Sequence, residues 1–143
     1  MDAGFKVGLI REAYVYHKRR IDFEKYIKQV YKFGVVRVIL NKWHPDKKGL
    51  VFYLPSLFLL GSVALILGAV VLSTWVLMPL LFFAVLILFD CLLKTKSLFI
   101  SIKAVLASFI QLYGYGYGFL KSFVLIKVLG KNEKEALPDF FMG

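Results

Sequence analysis

From residue 50 to residue 89 the chain runs for forty residues without one charged side chain. That run constrains the fold more than any other feature. A helix rises about 1.5 Å per residue and the hydrocarbon core of a bilayer is about 30 Å thick, so about 20 apolar residues span it. Forty residues therefore make one hairpin of two membrane helices. A chain of 143 residues that is 59% hydrophobic has too little interior to hide this surface from water. Disorder is excluded as well, because 17% of the residues are Phe, Trp or Tyr. The single cysteine, Cys91, rules out a disulfide framework or a cysteine-rich zinc site.

The hairpin is expected to turn at Ser73-Thr74, with spans over residues 51–72 and 75–93. Pro55 and Pro79 then fall in first helical turns, where proline is tolerated, and Trp75 sits at an interface. The net charge of +10 lies outside this region. Residues 1–48 hold twelve Lys and Arg against five Asp and Glu, which predicts a cytoplasmic N-terminus. Lys94 and Lys96 place the end of the second span on the same side. The first apolar run starts near residue 50 behind a charged head, unlike a cleaved leader.

Residues 97–129 allow two readings. They are apolar enough for a third span, with Lys121 and Lys127 snorkelling or facing protein. Alternatively they form two shorter interfacial helices broken at Gly114, Gly116 and Gly118, which returns the tail to the cytoplasm. Glycines at alternate positions surround a helix rather than lining one face, which favours a break or a packing bend over a dimer seam. Asp90 and Lys94 have the spacing of a simple helical ion pair, and Cys91 reads as a small hydrophobe.

The head divides in two. Residues 5–10 and 13–16 read as short extended pieces, too few to stand alone in water. From Asp22 a helical pattern begins, with Asp22 as N-cap and Phe23, Tyr26, Ile27, Val30 and Val38 at helical spacing. Gly34 within it suggests a kink or a close approach. This basic amphipathic helix is expected to lie in the interface, with Lys18, Arg19, Arg20, Lys25, Lys28 and Lys32 near lipid headgroups. Membrane lipids account for the charge, so nucleic acid is not expected as a partner. His44-Pro45 opens the turn into the bilayer. The expected fold is mainly α: an integral membrane protein with a short N-terminal β remnant, an interfacial helix and two to three transmembrane helices. Its parts are residues 1–20, 21–49, 51–93, 97–129 and a polar tail over 130–143.

Gly4-Phe5-Lys6-Val7, then Ala13-Tyr14-Val15-Tyr16-His17-Lys18-Arg19-Arg20, resembles the end of the catalytic domain in bacterial membrane-bound family 2 glycosyltransferases. Lys28-Gln29-Val30-Tyr31-Lys32-Phe33-Gly34-Val35-Val36-Arg37, a basic His-Pro turn and a pair of spans continue the likeness. Gln111-Leu112-Tyr113-Gly114-Tyr115-Gly116-Tyr117-Gly118-Phe119 is similar to a late glycine-aromatic segment of the same family. The resemblance covers nearly the whole chain and implies a place in the cytoplasmic (inner) membrane. It implies transfer of a sugar from a nucleotide-sugar donor to a lipid-linked or polysaccharide acceptor, with a divalent Mg or Mn in the intact enzyme. It also implies that His17 meets the metal or the diphosphate, and that Gln29 and Arg37 lie near the acceptor or the diphosphate. The family's preceding GT-A domain is missing, and residues 1–48 contain no Asp-x-Asp motif. The chain therefore resembles the C-terminal third of such an enzyme, without catalytic residues or cofactor of its own, and depends on a separate GT-A domain or subunit for activity. The alternative is a small non-enzymatic membrane protein that binds anionic lipid or a partner subunit.

Overall fold

The computed structural model describes residues 22–45 and 49–141, together with Gly8, Ala13, Tyr14 and Tyr16. The extended pieces expected in the head lie mainly outside the described residues, and the four described there carry no regular structure. Every regular element among the described residues is helical. Helix α1 spans Phe23–Trp43, and Asp22 caps it by accepting from the Lys25 N–H at 2.7 Å. A single 3₁₀ turn, Leu50–Tyr53, leads into α2, Leu54–Val71. Ser73 ends the connection and starts a second 3₁₀ turn, Thr74–Leu77, that runs into α3, Met78–Thr95. Both prolines occupy first-turn positions, where their missing N–H costs nothing.

Helix α4, Leu98–Phe123, starts at Ser97, whose hydroxyl accepts from the Ile100 N–H at 3.4 Å. It passes through Gly114, Gly116 and Gly118 without a break and ends in a π-helical turn, Val124–Val128. Of the two readings of this segment, the helix broken at the glycines does not occur, because neighbouring helices use each glycine as a contact point. A Cβ on Gly118 would strike the Tyr31 carbonyl, and one on Gly114 would sit 3.5 Å from Val30 Cγ1, both in α1. A Cβ on Gly116 would come 2.5 Å from the Pro55 carbonyl oxygen in α2. The small residues surround α4 because its partners do. Gly34 makes the matching approach from α1, where a Cβ would lie 2.9 Å from the Phe119 amide nitrogen.

α4 is the hub of the fold, contacted by α1, α2 and α3. The core sits at one end of it: Val35, Val38 and Ile39 of α1 meet Phe119, Ile126 and Leu137. The last of these comes from the tail, which forms one helical turn, α5, Glu133–Ala136, and a 3₁₀ turn, Pro138–Phe140. Elsewhere many large apolar side chains stay exposed, although the Phe58, Phe83, Phe109 and Tyr113 rings meet between α2, α3 and α4. α3 buries no residue, and α2 buries Ser56 and Ser62 while Leu57, Leu60, Ile66 and Leu67 stay exposed. Three helical stretches, Leu50–Val71, Thr74–Thr95 and Leu98–Val128, are long and apolar enough to cross a membrane. This is a multi-pass membrane protein.

Candidate functional site

Two depressions lie side by side along α1, and Phe33 borders both. The first is basic. Lys25, Lys28, Gln29 and Lys32 line it within about two helical turns, so the structure brings together three of the expected headgroup lysines and Gln29. Lys25 pairs with Asp22 at 2.8 Å, and Lys28 pairs with Glu24. The hydrogen bonds from Lys25 hold the Asp22 carboxyl below its usual range, and the bond to Glu24 raises the Lys28 ammonium. All four groups are open to water, so these pairs fix side-chain positions more than they stabilise the fold. The rest of the expected basic cluster, Lys18, Arg19 and Arg20, lies outside the described residues, as does His17.

The second depression is a groove of about 420 Å³ between α1, the start of α2 and the middle of α4. Phe33, Val36 and Leu40 form one wall, with Val51, Phe52 and Leu112 opposite. Arg37 enters it from α1. Its guanidinium carbon lies 3.3 Å from the centroid of the Phe52 ring, so the planar group is stacked on the aromatic face and its orientation is fixed. Arg37 pairs with no carboxylate among the described residues. Beside it is the buried Tyr115 hydroxyl, close enough to interact with the Arg37 guanidinium. Gln111 closes the third side, its side-chain carbonyl accepting from the Tyr26 hydroxyl at 2.9 Å.

Gln29 and Arg37, eight residues apart, thus enter neighbouring depressions rather than one site. Tyr115, Gln111 and Phe52 escape a reading of α1 alone, because they come from two other elements. A signal was present nonetheless: Arg37 interrupts the apolar run Val35-Val36-Arg37-Val38-Ile39. Among the described residues, no carboxylate, histidine, thiol or serine lines the groove. A fixed guanidinium presents parallel N–H donors suited to a phosphate, while the walls suit hydrocarbon.

Among the described residues no three His, Cys, Asp or Glu side chains converge as metal ligands. Asp90 is engaged with Lys94 at 2.8 Å, at the far end of α3 from the groove. Comparison with known proteins gives no match, whether to a family model, a curated protein or a solved structure.

Proposed function

We propose that this chain is the membrane-anchoring C-terminal portion of a family 2 glycosyltransferase, holding its catalytic domain where a nucleotide sugar meets a lipid-linked or polysaccharide acceptor. The observation that carries the reading is the groove at Arg37. A half-buried guanidinium with no carboxylate partner among the described residues, in an apolar groove, matches a phosphate joined to a long hydrocarbon chain. The lysines of the adjacent basic depression add attraction for anionic headgroups. In this reading the membrane is the inner membrane, α1 faces the cytoplasm because of its positive charge, and catalysis and metal binding belong to the separate GT-A domain.

The test titrates a polyprenyl phosphate into the detergent-solubilised chain and follows its unfolding midpoint. Saturable stabilisation is expected, at least tenfold weaker in Arg37→Gln and absent with the uncharged polyprenol. Equal responses to phosphate and alcohol, or an unchanged Arg37→Gln, would overturn the groove assignment. Incubated alone with nucleotide sugars and a lipid acceptor, the chain is expected to release no nucleoside diphosphate. Turnover would refute the claim that the catalytic machinery lies elsewhere.

A further inference from the structure

Three helices have the length and apolarity of spans, and three crossings would leave the two ends of this region on opposite sides of the membrane. The contacts run against that. Lys42, at the end of α1, pairs with Glu133 of the tail at 2.9 Å, and the Trp43 indole N–H donates to the same carboxylate at 3.3 Å. Leu137 of the tail is buried against α1 and the end of α4. The start of α2 meets the second half of α4 in the same region. The Tyr53 and Phe119 rings are 5.0 Å apart, and the Ser56 hydroxyl donates to the Gly116 carbonyl at 3.4 Å.

Chain length turns these contacts into a statement about sides. Seven peptide steps separate Trp43 from Leu50, and fully extended they reach at most about 25 Å, less than the hydrocarbon thickness of about 30 Å. The end of α1 and the start of α2 therefore share a face. The five steps from Val128 to Glu133 are shorter still, so the end of α4 shares a face with the tail. α1 cannot itself supply a compensating crossing, because Glu24, Lys25, Lys28, Lys32, Arg37 and Lys42 all lie within its length. An ion pair of 2.9 Å then joins the two faces into one.

We infer that α1 and the tail lie on the same face of the membrane, so that the chain crosses an even number of times and two of the three span-length helices traverse it. The inference does not depend on the glycosyltransferase reading, since it uses only the contacts of α1, α2, α4 and the tail.

Two measurements test it. In a Cys91→Ser background, single cysteines replace Asp22, Ser73, Lys96 and Lys134, all at exposed or loop positions, and sealed vesicles are treated with a membrane-impermeant maleimide. Asp22→Cys and Lys134→Cys are expected to react from the same side, with at least one of the Ser73 and Lys96 turns reacting from the other. Asp22→Cys and Lys134→Cys reacting from opposite sides would overturn the inference. Both turns reacting from the side of α1 would overturn the crossings altogether. The unsubstituted chain supplies the second measurement, because a carbodiimide joins a lysine to a carboxylate in direct contact. In native membranes a cross-linked peptide pair containing Lys42 and Glu133 is expected alongside the Asp90–Lys94 product, which serves as control. The control product without the Lys42–Glu133 product would count against a shared face.

Discussion

One end of the molecule is built like a soluble protein and the other is built for lipid. Where α1, the end of α4 and the tail meet, Val35, Val38, Phe119 and Leu137 are buried together, with Asn41 and Ser122 as the buried polar residues among those described. Along the α2–α3 arm the order is inverted: serines face α4 and leucines face away. The difference follows from the solvent. Lipid tails are as apolar as leucine, so burying a leucine in the arm gains little. Close approach over small residues, with hydroxyls satisfied on neighbouring backbone, holds the helices instead. Ser56 shows the pattern, its hydroxyl donating from α2 to the Gly116 carbonyl of α4 at 3.4 Å. At the other end, water supplies the usual driving force and large side chains fill the core.

Truncations should break the symmetry of the two ends most sharply. Phe119, 2% exposed, is expected to cost about 4 kcal/mol as Phe119→Ala. Leu67, 62% exposed on the arm, should change stability by less than about 0.5 kcal/mol as Leu67→Ala. Denaturant unfolding of the micelle-bound protein measures both, and equal losses would erase the proposed contrast. Glycines should divide in sign. Gly34→Ala forces α1 off the α4 backbone and is expected to destabilise by about 3 kcal/mol, whereas Gly61 has open space around it. Gly61→Ala should therefore stabilise α2 by about 1 kcal/mol through helix propensity alone.

Smaller effects sharpen the picture at the joints. Lys96 closes α3 in the left-handed conformation, at φ 53°, so Lys96→Gly should raise the thermal midpoint by the equivalent of about 1 kcal/mol. The smallest effect concerns the tail. The hydrogen bond from Lys42 holds the Glu133 carboxyl below its usual value of 4.5. Its contribution is thus present above that value and is lost as pH falls through the lower folded-state value. The protection factors of the α5 amides, corrected for the intrinsic pH dependence of exchange, should fall in that acid window in the parent protein, and Glu133→Gln should show the lower protection already at neutral pH.

What could be read from the sequence was local. The forty-residue uncharged run, the first-turn prolines, the Ser73 turn and the Asp22 cap depend on neighbours in the chain, and each has its counterpart in the structure. The glycines of α4 misled because propensity treats glycine as a helix breaker, whereas their role is set by Tyr31 and Pro55, more than fifty residues away. Distance in sequence also concealed the Lys42–Glu133 tie. Of the candidate site, the lysine cluster and Arg37 were legible as charge in an amphipathic helix. The groove was not, because Arg37 acquires its meaning from Phe52 and Tyr115, which come from two other elements further along the chain.

The position of α4 in the chain has a consequence for biosynthesis. A ribosome delivers α1 first and the α2–α3 arm next, and every one of these elements rests on a helix that has not yet been made. During that interval α1 has only the membrane surface for its apolar face, and Gly34 and Pro55 wait for partners at residues 115–119. A nascent chain arrested after Lys96 would be inserted but not folded. Assembly is decided late, when the fourth helix arrives and the three earlier ones dock on it.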